Sequence, residues 1–358
     1  MPLSTVANFQ IDYHQCLDAN GELIGELPSF ANDPEHLLKL YKFMVLTRVF
    51  DTKSISLQRT GKMGTYASTL GQEAISVALG DAMQKDDVLV PAYREYGAQL
   101  QRGTKMEEIL SYWGGDERGN CYTDSDDMSI SVPIASQCLH AAGIAKAFQL
   151  RRQKRCAVSV CGDGATSQGD FYEAMNVAGA WKLPVIFLVN NNQWAISVSR
   201  EIQTGAETLA QKAIAAGIAS EQVDGNDIFA IRDSLGKAIN AARESGTPFM
   251  IEAITYRLSD HTTADDATRY RSDEELKTAW DNEPIIRFKK YLMNTNLWTE
   301  EQEEQLQTES KAKVDEAVQR YFNRTPQAPE SILNFIFETL PAPMQDQYDE
   351  LIENTRKS

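Results

Sequence analysis

Short apolar runs alternate with segments of helical periodicity between residues 34 and 258, and this alternation constrains the fold more than any other feature. Strand candidates occur at residues 88–91, 157–161, 185–189, 221–223 and 249–256. Helical periodicity lies between them, at residues 71–84, 134–151, 168–181, 207–216 and 228–244. Strands separated by helices of this length need crossover connections, which favour a parallel sheet with helices on both faces. The sequence therefore predicts an α/β fold.

The segments on either side of this pattern have a different character. The first 33 residues combine turn residues with isolated apolar ones, which predicts an irregular N-terminal arm. Near the other end the periodicity is helical alone, and Ser272 with Glu275 has the spacing of a helix-capping box. We therefore expect three regions: an N-terminal arm (1–33), an α/β domain (34–271) and a C-terminal helical region (272–358).

Composition and charge exclude several classes of protein. The chain has 358 residues and a formal net charge of −16, which disfavours binding to the phosphate backbone of a nucleic acid. Its longest apolar run, residues 183–189, is far shorter than the roughly 20 residues that a membrane-spanning helix needs. The first thirty residues lack Lys and Arg, unlike a secretory signal, and the five cysteines show no CxxC spacing. We expect a cytoplasmic protein that binds neither nucleic acid nor membrane.

The most informative segment is the apolar run 156–160, followed by CGDGATSQGD at 161–170 and then a helical pattern. In an open parallel sheet, ligands bind at the carboxyl ends of strands, where a following helix presents free backbone amides. Glycine lets such amides approach an anion closely. Asp163 would repel that anion unless a hard cation such as Mg2+ lay between them. The next apolar run ends in three asparagines, 190–192, which predicts amide oxygens beside the same edge.

Two other phosphate-binding loops fail on specific residues. A dinucleotide-binding fingerprint that starts at Gly162 needs glycine at position 167, where the chain has Ser167. A P-loop that starts at Gly164 and reaches Gly169 needs lysine where Asp170 stands. Neither pattern describes this segment.

The spacing of the GDG sequence and the asparagines resembles a known motif. GDG at 162–164, 26 intervening residues and two asparagines resemble the thiamine-diphosphate motif, with a strand, a helix and a strand between its parts. The wider segment 162–197, GDGATSQGDFYEAMNVAGAWKLPVIFLVNNNQWAIS, is similar to the α subunits of the E1 component of 2-oxo acid dehydrogenase complexes. The similarity extends from about residue 34 to the C-terminal region. It implies the thiamin-diphosphate-binding fold.

The resemblance implies a set of residues for the diphosphate end of the cofactor. Asp163 and Asn192 would bind Mg2+ through their side chains, and Trp194 would bind it through the backbone carbonyl. Gly164 and Ala165 would donate backbone amides to the diphosphate. The family often has tyrosine in place of Trp194, and a ligand from the backbone tolerates that change.

Two further segments match the family. Tyr93 and Arg94 follow an apolar run and are similar to a YR pair that contacts the diphosphate, where a planar guanidinium can pair with phosphate oxygens. His261 lies in a polar, irregular segment that predicts a loop. We expect such a histidine to titrate near neutrality and to bridge phosphate or donate a proton to a developing alkoxide. In the family, the matching loop histidine lies over the cofactor.

The segment before the GDG strand is similar to the part of the family that touches the middle of the cofactor. Ile134 would be the apolar wedge under the bent thiamine, and the Val132 carbonyl would face the aminopyrimidine. Without the family, Ile134 is typical of a core residue. Some relatives bind K+ in this stretch, which makes Ser131 and Gln137 candidate K+ ligands.

The resemblance implies oxidative decarboxylation of pyruvate, with transfer of the acyl group to the lipoyl group of an E2 acyltransferase. Thiamine enzymes use a second α/β domain to hold the carboxylic acid that activates the cofactor. Because this chain has one such domain, a β subunit in an α2β2 assembly is expected to supply that acid. Two alternatives stay open: another substrate, either a branched-chain 2-oxo acid or acetoin, and a non-catalytic nucleotide-binding subunit with a Rossmann-like sheet.

Overall fold

The computed structural model of the chain describes residues 3–122, 125–334 and 336–357. The chain divides into two units, Met1–Val318 and Gln319–Ser358. The first unit is built on a six-stranded sheet. The second contains the end of a long helix, two short 3-10 turns and a final helix. Within the described residues, no helix has both the length and the hydropathy needed to cross a bilayer.

The sheet has the parallel arrangement that the sequence predicts. The strands in chain order are β1 (Tyr13–His14), β2 (Val88–Val90), β3 (Ala157–Gly162), β4 (Val185–Asn191), β5 (Trp194–Ala195), β6 (Val198–Ser199), β7 (Ala219–Asp224) and β8 (Phe249–Ile254). Six of them form one parallel sheet in the order β1-β7-β8-β4-β3-β2, whereas β5 and β6 form a separate antiparallel hairpin. All five predicted strands lie in the sheet, which confirms the α/β fold.

Helices connect these strands and follow them. They are α1 (Pro34–Arg59), α2 (Glu73–Ala82), α3 (Tyr96–Gln101), α4 (Met106–Trp113), α5 (Ser136–Leu150), α6 (Gly169–Trp181), α7 (Arg200–Gln203), α8 (Ile228–Ser245), α9 (Asp273–Trp280), α10 (Pro284–Asn294), α11 (Glu300–Phe322) and α12 (Gln345–Lys357). The predicted helix 207–216 is instead a 3-10 turn, Ala210–Ala216, which ends at the left-handed Gly217 (φ 68°). The predicted cap of α9 is present, since Ser272 Oγ accepts a hydrogen bond from the Glu275 amide at 3.2 Å.

Helices cover both faces of the sheet because alternate residues of each strand point in opposite directions. On β4, Ile186 and Leu188 pack into a core cluster shared with α1, α2 and α8. Val185, Phe187 and Val189 face the other way, toward α5 and α6. Every residue of β4 is buried, as expected for a parallel strand covered on both sides. This double core fixes the carboxyl edge of the sheet, where the predicted site lies.

The N-terminal arm contributes an edge strand that the sequence did not predict, since β1 pairs in parallel with β7. Just beyond β1, the buried carboxylate of Asp227 accepts hydrogen bonds from the backbone amides of Cys16 and Leu17, each at 2.6 Å. The same carboxylate caps α8 by accepting from the Phe229 amide at 2.9 Å. A two-residue strand is too short to show a period in the sequence. Its pairing with β7 also uses backbone groups, which every residue type carries.

Candidate active site

The site predicted from the sequence is a cavity at the carboxyl ends of β3 and β4. Gly162 pairs with Asn190 in the register of these strands, so the turn Asp163–Ser167 and the segment 190–192 meet at one edge. They line a cavity of about 710 Å³. All ten residues predicted to bind the cofactor or its metal line this cavity: Tyr93, Arg94, Val132, Ile134, Asp163, Gly164, Ala165, Asn192, Trp194 and His261.

Asp163 is buried in the cavity wall, with 1% of its surface exposed. Its Oδ2 atom has no hydrogen-bond partner among the described residues. Burial raises the pKa of this carboxyl group to about 6, and the backbone amides of Asp163 and Asn192 partly oppose that effect. The carboxyl group therefore lies beside the segment 190–192, as a shared metal requires. A buried carboxylate oxygen without a partner is costly, so it is suited to a cation.

The oxygen atoms of the other two predicted metal ligands accept long hydrogen bonds from described residues. Asn192 Oδ1 accepts from the Trp194 amide at 3.3 Å, and the Trp194 carbonyl accepts from Arg257 Nη1 at 3.3 Å. No cluster of three or more His, Cys, Asp or Glu suited to a metal occurs in the part of the chain that the structure describes. A site here would thus combine one carboxylate with amide and carbonyl oxygens, which suits a hard cation that also binds phosphate.

Glycines shape the turn that carries Asp163. A Cβ atom on Gly162, which lines the cavity, would meet no atom within 4 Å. A Cβ atom on Gly164 would lie 2.8 Å from the Cβ of Ala195 in β5. A side chain at position 162 would therefore enter the cavity, whereas one at position 164 would clash with Ala195.

Four more buried polar atoms in the cavity wall have no partner within the described ranges. They are Gln72 Nε2, Trp113 Nε1, Asn190 Oδ1 and Gln203 Oε1. Buried polar groups are nearly always paired, so unpaired ones mark positions for water or a ligand. With Asp163 Oδ2 they offer two donors and three acceptors, which fits a group that carries both a cation and anionic oxygens. The asparagine triplet could have indicated Asn190, whereas no sequence signal pointed to Gln72, Trp113 or Gln203.

His261 lies between two arginines in the cavity wall. Its Nδ1 atom accepts hydrogen bonds from Arg94 Nη2 at 3.1 Å and Arg257 Nη1 at 3.4 Å. Because arginine only donates, the proton of the neutral imidazole is on Nε2. Burial, together with the positive charges of Arg94 and Arg257, lowers the pKa of His261 to about 3. The prediction that this histidine titrates near neutrality was wrong, since it ignored burial and the two arginines.

Arg94 is buried and supports the loop that carries His261. Its Nη1 donates to the Ser68 carbonyl at 2.5 Å and its Nη2 to the His261 carbonyl at 2.6 Å. Its guanidinium also lies 5.2 Å from the centre of the Tyr93 ring, which contacts the His261 ring edge-on at 6.3 Å. Most of its donors are therefore bonded to protein atoms, and its pairing with phosphate stays a prediction.

The apolar part of the cavity is open and its backbone is strained. Val132 and Ile134 are 53% and 45% exposed, although both are aliphatic. Exposed aliphatic side chains beside a cavity are suited to an apolar ring or a partner chain. Nearby, Ala135, Gln193 and Ile196 have positive φ values of 70°, 72° and 56°. Such conformations are unfavourable outside glycine and concentrate at functional sites.

The candidate K+ ligands bond to their own segment. The Gln137 side-chain amide donates to the Ser131 carbonyl, and the Ser131 and Ser136 hydroxyl oxygens are 3.1 Å apart. Gln137 lines the cavity, whereas the described cavity wall does not include Ser131. A K+ site here stays a prediction.

Glu95 is a carboxyl group in the cavity wall that the sequence reasoning missed, although it directly follows Arg94. It is 5% exposed, and its Oε2 accepts a hydrogen bond from the Arg94 amide at 3.2 Å. Burial raises its pKa to about 7, and hydrogen bonds from nearby backbone amides only partly oppose this effect. The fold therefore favours the protonated form of Glu95.

Replacing Glu95 with glutamine is expected to stabilise the cofactor-free chain at pH 8 and to matter much less at pH 5. The wild-type carboxyl binds its proton more tightly in the folded state than in the unfolded state, so its stability is lost as pH rises toward 7. The gain from Glu95→Gln should be about 3 kcal/mol at pH 8 and below about 1 kcal/mol at pH 5. Urea denaturation at both pH values measures it, with the exposed Glu301→Gln on α11 as control. An equal gain at both pH values would contradict the raised pKa.

Known proteins share this sequence over most of its length. Residues 41–330 match the family described as dehydrogenase E1 component. The chain is 39% identical over 339 residues to a Staphylococcus aureus (strain Mu50) protein named pyruvate dehydrogenase E1 component subunit alpha, covering 94% of this chain and 91% of that protein. Proteins of the same name from Bacillus subtilis and Staphylococcus epidermidis are each 37% identical with the same coverage. With the fold and the cavity described above, these matches show that the chain belongs to the dehydrogenase E1 component family.

Proposed function

We propose that the chain is the α subunit of the E1 component of a pyruvate dehydrogenase complex. The observation that carries the proposal is the cavity at the carboxyl edge of the sheet, where Asp163 presents a buried oxygen without a partner in the described part of the chain. The names of the relatives from Staphylococcus aureus and Bacillus subtilis support pyruvate as the substrate.

The residues of the cavity support Mg2+ and thiamine diphosphate as cofactors. Asp163 and Asn192 would hold Mg2+ through side-chain oxygens, together with the carbonyl of Trp194. The backbone amides of Gly164 and Ala165 would bind the diphosphate at the start of the turn that leads into α6. Both sets of atoms belong to one edge of the sheet, so a single magnesium diphosphate group is suited to both.

The remaining wall would hold the rest of the cofactor. Tyr93 and Arg94 would contact the diphosphate end, and K+ would bind near Ser131 and Gln137. The exposed aliphatic residues Val132 and Ile134 would support the apolar rings.

Bound there, thiamine diphosphate would supply a carbon nucleophile for the 2-oxo group and an acceptor for the electrons released with CO2. The contribution of this chain is to place and polarise the substrate. His261 is neutral and carries its proton on Nε2, because Arg94 and Arg257 both donate to Nδ1. In this proposal His261 donates a hydrogen bond from Nε2 to the substrate oxygen that becomes negative during the reaction.

Removing the donor of His261 while keeping its acceptor is expected to slow turnover about 100-fold. His261→Asn does this, since the asparagine oxygen can accept from Arg94, whereas His261→Gln extends an amide donor toward the Nε2 position and should lose less. Turnover and its pH profile in the α/β complex measure both effects. If wild-type turnover falls as pH drops through about 6.5, and this fall is absent in His261→Gln, then His261 titrates there. That result would contradict the lowered pKa of His261.

Other chains complete the machinery in this proposal. An E1 β subunit supplies the carboxylic acid that activates the cofactor, in a cytoplasmic α2β2 heterotetramer, and an E2 lipoyl acyltransferase accepts the acyl group. The described residues form one parallel sheet covered by helices, and the aliphatic side chains of Val132 and Ile134 are exposed at the cavity. Both observations support a partner that covers this site.

The test of this function is cofactor binding followed by substrate choice. Calorimetric titration of the α/β complex with thiamine diphosphate should show binding that requires Mg2+. An artificial-acceptor assay should then give kcat/KM for pyruvate at least about tenfold above that for 3-methyl-2-oxobutanoate, the difference that extra methyl groups in a pocket produce. Preference for the branched acid or for acetoin would reassign the substrate. Binding of NAD or ATP without binding of thiamine diphosphate would contradict the proposed function.

A further inference from the structure

Lys212 is a buried lysine behind the cavity, in the 3-10 turn Ala210–Ala216. It is 8% exposed and does not appear in the described cavity wall. Its Nζ atom donates to the carbonyl and to the hydroxyl oxygen of Thr166, each at 2.9 Å. Thr166 belongs to the turn that begins with Asp163. The amine therefore contacts this turn from outside the described cavity wall.

The direction of these hydrogen bonds connects Lys212 to Asp163. A lysine amine cannot accept hydrogen bonds when charged, so the Thr166 hydroxyl accepts from it and donates its own proton elsewhere. The acceptor is the carbonyl of Asp163, at 2.8 Å. Lys212 thus fixes two points of the turn, the peptide of Thr166 and, through the hydroxyl, the peptide of Asp163.

Glu252 connects the same support to the other half of the site. It lies in β8 and is fully buried. Its Oε1 accepts from the side-chain amide of Asn191 at 2.7 Å, and its Oε2 accepts from the backbone amide of Ala210 at 2.9 Å. Ala210 begins the turn that carries Lys212. Glu252 and the backbone from Ala210 to Lys212 therefore connect the segment 190–192 to the Asp163 turn.

We infer that Lys212 and Glu252 are positioning residues that hold the Asp163 turn and the segment 190–192 at the separation required by one magnesium diphosphate group. The inference rests on the proposed function. Both groups act through other residues, since Lys212 bonds to Thr166 and Glu252 to Asn191 and Ala210. Such supporting partners of metal ligands typically contribute about 10- to 100-fold to metal affinity.

The test is calorimetric titration of the α/β complex with Mg2+ and thiamine diphosphate, comparing wild type with Lys212→Met. We expect affinity to fall about 10- to 100-fold, while kcat at saturating cofactor and KM for the 2-oxo acid change less than about threefold. Lys212→Arg, which keeps a donor, should recover part of the affinity. Lys154→Met is the matched control, because Lys154 is exposed and pairs with Glu244 on the surface. Unchanged affinity in Lys212→Met would overturn the inference.

A double-mutant cycle separates positioning from direct contact with the cofactor. Thr166→Val keeps the shape of the side chain and removes the hydroxyl through which Lys212 reaches Asp163. If Lys212 acts through Thr166, the losses from Lys212→Met and Thr166→Val should be strongly non-additive. Additive losses would overturn the inference. Should Lys212→Met fail to fold, Thr166→Val alone becomes the test, and unchanged affinity counts against the inference. A wild-type complex that binds no thiamine diphosphate would instead defeat the proposed function.

Discussion

Replacing Asp163 with asparagine is expected to weaken binding of Mg2+ and thiamine diphosphate by more than about 100-fold, beyond the loss typical of a supporting residue. Asparagine keeps the size of the side chain but removes the negative charge that faces the cavity. The described cavity wall contains only one other carboxyl group, that of Glu95, so a substitute ligand for a hard cation is not at hand. Turnover should fall with occupancy. Calorimetry and an artificial-acceptor assay on the α/β complex measure the two losses.

The same substitution should have the opposite effect on the stability of the cofactor-free chain. Burial raises the pKa of Asp163 to about 6, so at pH 8 the folded chain carries a charge in an unfavourable position. Asp163→Asn should therefore increase the free energy of unfolding by about 2 kcal/mol at pH 8. Asp170→Asn in the first turn of α6 is the matched control. A variant that loses both stability and binding would show that Asp163 is needed for folding rather than for a metal.

The purified α chain is expected to release no CO2 from pyruvate above the uncatalysed background, even when saturated with Mg2+ and thiamine diphosphate. Activating the cofactor needs a carboxylic acid beside its ring end. The described cavity wall offers two carboxyl groups, those of Asp163 and Glu95. In the proposed function Asp163 binds the metal, and Glu95 directly follows the pair that contacts the diphosphate end. We therefore expect the required acid to come from the β subunit.

Adding purified β subunit should restore turnover to a value typical of enzymes, about 1 to 1000 per second. Gel filtration should show the two chains eluting together when activity returns. Decarboxylation by the α chain alone that disappears in Glu95→Gln would contradict the prediction and would identify Glu95 as the acid. The α chain with Asp163→Asn, mixed with β subunit, is the negative control.

The sequence predicts the site residues that belong to short motifs directly after strands. Asp163 follows β3 and Asn192 follows β4 in the chain. Because neighbouring parallel strands end at the same edge, the order of elements alone brings these residues together. Periodicity indicated the strands well, since both faces of the sheet are covered and the strands are almost continuously apolar.

Properties that depend on distant residues could not be predicted in this way. The pKa of His261 is lowered by burial and by Arg94, which is 167 positions away in the chain. The support from Lys212 reaches Thr166 across 46 positions and is made by a turn that the sequence presented as a helix. Each of these contacts is set by tertiary packing, and neither residue carries a local pattern that distinguishes it from its neighbours.

The double role of the Asp227 carboxylate makes the N-terminal arm a poor place for truncation. The Asp227 carboxylate accepts hydrogen bonds from the N-terminal arm and also caps α8. Deleting residues through Leu17 would remove two of its hydrogen-bond donors and leave the carboxylate buried. The deletion would also remove β1 and make β7 an edge strand with unpaired backbone amides. Exposed edge strands of this kind promote aggregation. Shortened versions of the chain should therefore keep residues 13–17.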